Sequence, residues 1–221
     1  MNKRLITIGF LIIAVAIIAK LACTIGKNIK VDDFHKAAVI FVLDSSASNQ
    51  SQLPEEVRYV KSLCSILDPE DAIKILKVDS SSYLIYEGSP GDASGISKAI
   101  STYAKSDANS LGAAYSQGIK KAVDHCLTMK KEGYNTAIVV VGNLDSANSS
   151  LAINWDTLPN NIKKAQKYIP ELAMMFVYAP PEKLDLAKTK LNPVLGETKL
   201  IIANSANVDK ANRRFLTAIG R

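Results

Sequence analysis

Short runs of Val, Ile, Leu and Ala recur along this chain, and between most of them lies a longer stretch whose apolar residues return every third or fourth position. The strand-length runs are 38–43, 72–78, 83–86, 137–141, 172–178 and 199–203, rich in β-branched residues and bounded by turn formers. Helical periodicity occupies 55–67, 93–103, 111–129, 159–169, 181–191 and 208–219. In the first of these, Val57, Val60, Leu63, Cys64 and Leu67 share a face. Pro54 suits the opening turn, and Glu55 and Glu56 suit the positive end of the helix dipole. Strands that are apolar on both faces and joined through helices must be covered on both sides, which implies a parallel sheet between two helical layers. The run 83–86 follows 72–78 after only four residues, too few for a crossover, so it pairs antiparallel. The expected fold is a Rossmann-like three-layer α/β/α domain over 37–221. Its sheet is mostly parallel and six-stranded, with one antiparallel strand at the edge side.

The first run stops on an acid and continues into serines, "AVIFVLDSSAS" over 38–48. In open α/β sheets ligands collect at the carboxyl ends of the strands, and Asp44 sits at such an end. Asp44, Ser46 and Ser48 alternate. One carboxylate and two hydroxyls on a single turn suit a hard divalent cation, since Mg²⁺ takes oxygen ligands at about 2.0–2.1 Å and keeps several waters. The bland account is that Asp44 and Ser46 cap the next helix and satisfy turn N–H groups, which explains one serine but not the alternate spacing of two.

D-S-S-A-S is similar to the D-x-S-x-S motif of von Willebrand factor type A domains, and the order of elements from about residue 36 to the C-terminus resembles that family too. The resemblance implies a metal-ion-dependent adhesion site, completed in the family by a threonine in a second loop and an aspartate in a third. Here "NSLGAAYSQGIKKA" puts Asn109 at the threonine's place with Ser110 beside it, and "AIVVVGNLDS" puts Asn143 at the aspartate's place with Asp145 two residues on. Exchanging that aspartate for an amide removes a formal charge, and divalent affinity follows ligand charge. The implied metal set is therefore Asp44, Ser46, Ser48, Asn109 or Ser110, and Asn143 or Asp145. The ion would be Mg²⁺, with Mn²⁺ or Ca²⁺ as alternatives. The implied function is binding another protein through the loop face at the strand C-terminal ends. The alternative is a metal-free structural or assembly component that keeps the same fold.

Ahead of the domain, Met1-Asn2-Lys3-Arg4 precedes an uncharged apolar stretch over 5–19, and Lys20 then separates it from 21–25. Fifteen helical residues rise about 22 Å, short of the roughly 30 Å hydrocarbon core. Residues 5–25 span it if Lys20 snorkels. This predicts a single-pass membrane anchor over 1–25 and a polar linker over 26–36, with the domain on the exported side. A cleaved signal peptide, or lipidation at Cys23, is the alternative. Charge excludes other classes: 27 basic against 21 acidic residues give +6, but the lysines are scattered and aromatics make up 6%, so no nucleic-acid surface is expected. Three cysteines without a C-x-x-C pair give neither a disulfide framework nor a metal cluster, and Cys64 and Cys126 read as core thiols. His125 and Cys126 are helix neighbours that point apart, and no nucleophile or phosphate-loop motif occurs, so neither an enzyme nor a small-molecule substrate is expected. Trp155 falls in a long polar excursion over 147–158 and reads as packing that loop onto the domain.

Overall fold

The computed structural model describes residues 36–103, 112–146, 148–204 and 206–221. The expected anchor over 1–25 and all but the last residue of the linker lie outside them, as do Asn109 and Ser110. Among the described residues no helix is long and apolar enough to cross a membrane.

Among the described residues six strands form one sheet: β1 (Ala37–Asp44), β2 (Ala72–Val78), β3 (Ser82–Gly88), β4 (Asn135–Val141), β5 (Ala173–Val177) and β6 (Leu200–Ala203). Their order is β3-β2-β1-β4-β5-β6. All pairings are parallel except β2 with β3, which is antiparallel with an irregularity between Ile75 and Leu76. The expected edge strand is therefore where the short link required it. Among the described residues six α-helices connect and cover the sheet: α1 (Leu53–Ser65), α2 (Ala93–Tyr103), α3 (Tyr115–Lys131), α4 (Leu158–Ala165), α5 (Pro181–Leu195) and α6 (Val208–Ala218).

The pleat sends successive side chains to opposite faces, and the core divides accordingly. Val39, Phe41 and Leu43 of β1 join the cluster built with α1, α2 and α6, while Ala38, Ile40 and Val42 join the one built with α3, α4 and α5. Every residue of β1 is buried, as a strand between two helical layers must be. Burying a side chain such as Phe41 or Ile40 contributes about 1.5–3 kcal/mol. Helix α3 approaches the sheet closely through Gly118, where a Cβ would lie 2.5 Å from Val78 Cγ1 and 3.0 Å from Val42 Cγ1.

Two boundaries differ from the periodicity in an informative way. Helix α5 runs to Leu195 although Pro193 stands inside it, where the sequence pattern ends at 191. Proline removes only one hydrogen bond in that last turn, and the helix carries Leu195 into the core, 4% exposed. The first helix is preceded by a 3-10 turn at Ala47–Asn49, so the serines of the motif lead into a separate tight turn rather than directly into α1.

Candidate functional site

The sheet reverses direction of progression between β1 and β4, so their C-terminal ends open a crevice at a topological switch point. Asp44 ends β1, and Gly142, Asn143 and Leu144 follow β4. Because Asp44 lies two residues past Val42, its side chain shares the α3 side of the sheet. That geometry delivers it to the first residue of α3. The Tyr115 hydroxyl donates to Asp44 Oδ2 at 2.7 Å. The Tyr115 hydroxyl oxygen in turn accepts the Leu144 N–H at 3.1 Å. One phenol thus ties the first loop to the third.

The start of α3 is itself anchored to the neighbouring strand. Ala114 N–H donates to the Asp79 carbonyl at 2.7 Å, and Ser82 N–H donates to Gln117 Oε1 at 2.6 Å. Gly142 makes room for the phenol: its φ is +144°, and an added Cβ would stand 2.4 Å from both Asp44 Cβ and the Tyr115 oxygen. Leu144 takes φ 59°, a left-handed conformation that a branched side chain rarely adopts, and its N–H to Tyr115 is one of the contacts holding it.

Around the motif, Asp44 Oδ1 accepts the Ser46 N–H at 2.9 Å, and the Ser46 and Ser48 hydroxyls lie 3.1 Å apart. Asp44, Ser45 and Ser46 are fully buried, whereas Ser48 is exposed. Burial pushes the Asp44 carboxyl above its ordinary range against the opposing donation from Tyr115 and Ser46. Beneath this turn, Asn49 Nδ2 donates to the Asp44 carbonyl at 3.1 Å and to Glu56 Oε2 at 2.7 Å. Asn49 and Glu56 are both fully buried, and Asn49 Oδ1 and the second Glu56 oxygen, Oε1, have no partner among the described residues. Burial raises the Glu56 carboxyl to about 8, opposed by the Asn49 hydrogen bond and assisted by the nearby charge of Asp44.

The third-loop residues are engaged elsewhere. Asn143 Oδ1 accepts the Asp145 N–H at 2.8 Å in a local turn, and Asp145 Oδ1 pairs with Lys183 Nζ of α5 at 2.9 Å. Asp44, Ser46 and Ser48 are therefore together, while Asn143 and Asp145 are adjacent in the third loop but committed to other partners. Among the described residues no three His, Cys, Asp or Glu side chains converge on a point. A divalent ion needs ligand charge, and here the one carboxylate beside the hydroxyls already accepts two protein hydrogens. With the phenol in place, these residues do not fit a tightly held ion.

Tyr115 and the Asn49–Glu56 pair are the site residues that the sequence pattern did not single out. Tyr115 falls on an apolar position of the helical repeat, and its ring is indeed buried; only its hydroxyl turns to the loops. Other expectations hold. Cys64 and Cys126 are buried free thiols. Trp155 is half-buried with its ring centroid 6.2 Å from that of Phe176 in β5, packing the long excursion onto the domain core. His125 is half-buried rather than fully at the surface, and desolvation lowers its imidazole from the usual range.

No protein-family model matches the chain, and no curated protein matches it at the sequence level. Solved structures do match. The SpRpn10 VWA domain superposes with a TM-score of 0.56 at 12% identity, over 76% of this chain and 87% of that one. An aerotolerance-related membrane protein from Bacteroides fragilis superposes at 0.54 and 15% identity, over 83% and 98%. Proximal thread matrix protein 1 from the mussel byssus, with a zinc-occupied MIDAS motif, superposes at 0.53 and 12% identity, over 84% of this chain but only 47% of that one. The chain has the von Willebrand factor type A fold.

Proposed function

We propose that this von Willebrand factor type A fold serves as a protein-binding module, held at a membrane by residues 5–25 and displayed on the exported side. The observation that carries this function is the convergence of the loops after β1 and β4 at the switch point, over a buried frame made by Asp44 and Tyr115. Sites of recognition lie on loops fixed by a rigid scaffold, and this face has both parts. The exposed Ser48 and Asp145 would meet the partner, and the half-buried Trp155 lies in the neighbouring excursion. The module binds and does not turn over a substrate. The basic start and apolar run at the N-terminus support the anchor, and one structural neighbour is described as a membrane protein.

The Ser46–Ser48 hydroxyl pair beside Asp44, together with a neighbour whose MIDAS motif holds zinc, favours a second function in which Mg²⁺, Mn²⁺ or Ca²⁺ takes part in the contact. In that case the Tyr115 hydroxyl would give up Asp44 Oδ2, Asp44, Ser46 and Ser48 would hold the ion, and a partner's acidic side chain would complete its shell.

Crosslinking of the full-length protein in cells, followed by recapture with Ser48→Arg and Asp145→Arg variants, tests the binding surface. Loss of the same crosslinked partner in both variants is expected, and undiminished crosslinking in both would refute a loop-face contact. Sensitivity of that capture to EDTA separates the two functions: loss favours the ion, and persistence favours direct contact. Protease protection of the domain in intact cells checks the exported side, where digestion without permeabilisation is the expected result.

A further inference from the structure

We propose that the Tyr115 hydroxyl stands in for the adhesion-site cation: it supplies the donor that the Asp44 carboxylate needs and holds the first and third loops together without a metal. Three observations carry this. The phenol is fully buried and its oxygen is shared between Asp44 Oδ2 at 2.7 Å and the Leu144 N–H at 3.1 Å, so it bridges the two loops that an ion would otherwise join. The backbone is shaped around it, since any Cβ at Gly142 would meet the phenol oxygen at 2.4 Å. The place of a third-loop acid is held by Asn143, which is neutral and spends its Oδ1 on the Asp145 N–H.

The physical logic is substitution of one fixed positive partner by another. A buried carboxylate must have its charge met, by an ion or by hydrogen-bond donors. A divalent ion does this strongly, but its affinity falls with the ligand charge available; a phenol does it with one O–H and needs no further ligand charge. With one carboxylate and an amide in the third loop, the phenol is the partner that the remaining charge supports. Tyr115 is accordingly a positioning residue for the loop face. It acts through Asp44 and Leu144 and is buried beneath any partner. The inference deepens the protein-binding function by making the contact independent of divalent ions, although the titration below requires no partner.

The test is calorimetric titration of Mn²⁺ and Mg²⁺ into the purified full-length chain, for the natural sequence, Tyr115→Phe, Asn143→Asp and the double variant. Removing one hydrogen bond to a charged group frees Asp44 Oδ2, which corresponds to about tenfold to a hundredfold tighter metal binding. Expected is no saturable heat at millimolar metal for the natural chain, measurable binding for the Tyr115→Phe/Asn143→Asp pair, and tighter binding in that pair than in Asn143→Asp alone. Equal affinity with and without the phenol in both backgrounds would overturn the inference, as would saturable binding by the natural chain that Tyr115→Phe leaves unchanged. Melting in EDTA guards against a variant that does not fold. If a variant melts below the assay temperature, the comparison passes to Asp44→Asn, which lacks the charge in question. The natural chain and Asp44→Asn must then behave alike toward metal, and a metal response present only in the natural chain would overturn the inference. Failure of the loop-face contact in crosslinking would leave the titration result intact, so the two conclusions fail separately.

Discussion

Glu56 is a carboxyl sealed under the motif loop, and replacing it with Gln gives a sharp test of the site's electrostatics. It is fully buried, accepts one hydrogen bond from Asn49 and leaves Oε1 without a partner among the described residues. Its carboxyl is raised from 4.5 to about 8 by burial first, with the charges of Asp44 and Glu55 adding to the rise. Because the folded value lies above the unfolded one, the native state keeps a proton that the unfolded chain has released anywhere between pH 4.5 and about 8. Stability is therefore full below 4.5, falls as pH rises through that window, and is lowest above it. At about 1.4 kcal/mol per pH unit the whole window is worth at most about 5 kcal/mol, and relaxation or water entry lowers that to roughly 2–4 kcal/mol. Gln cannot ionise and still offers an oxygen to Asn49. Urea unfolding of both chains at pH 5, 7 and 9 reads the difference. The Glu56→Gln variant is expected to match the natural chain within about 1 kcal/mol at pH 5, to gain on it up to about pH 8 and to hold that gain at pH 9. A difference that stays constant with pH would refute a buried, reluctant acid at this position.

Further outcomes follow from the packing. Gly118→Ala drives a methyl into Val78 and Val42 and is expected to cost about 1–3 kcal/mol in denaturant unfolding; an unchanged midpoint would mean that α3 can shift outward freely. Gly142→Ala adds left-handed strain and a collision with both Asp44 and the Tyr115 oxygen, so a loss of about 2–4 kcal/mol is expected, larger than at Gly118. Burial pushes the Cys64 and Cys126 thiols up to about 12. In a Cys23→Ala chain, a thiol reagent at pH 8 is expected to label neither until denaturant is added, and rapid native labelling would contradict the packing. Phe41→Ala, in the middle of β1, is expected to cost about 3–5 kcal/mol by the same unfolding measurement.

The layered architecture is written plainly in this sequence, because strand and helix periods differ and β1 is apolar on both faces. The short link to β3 settles the antiparallel edge for the same reason of reach. Asp44 could be placed at a strand end from its position alone. What the pattern could not supply was the partner of that carboxylate. Tyr115 lies in a later helix, and its position in the helical repeat marks only the ring as buried; the hydroxyl's target depends on how β1 and α3 meet. The asparagine at 143 was legible as a missing charge, but its turn with Asp145, and the pairing of Asp145 with Lys183, arise from loop conformation and from α5. Pro193 misleads in the opposite direction, since a core demand for Leu195 outweighs a local helix breaker near the end of α5.

The parallel pairing of β1 with β2 on one side and β4 on the other also governs how the chain reaches its native state. The β2–β3 hairpin closes locally, but each of β1's own pairings waits for a crossover, and the one with β4 waits for most of the intervening chain to be gathered in. Contacts of such long sequence separation form slowly. During that interval β1, apolar on both faces and with its backbone groups unpaired on both edges, is open to other chains. Refolding yield should consequently fall steeply with protein concentration, and the same delay would burden the chain during its synthesis and delivery in the cell.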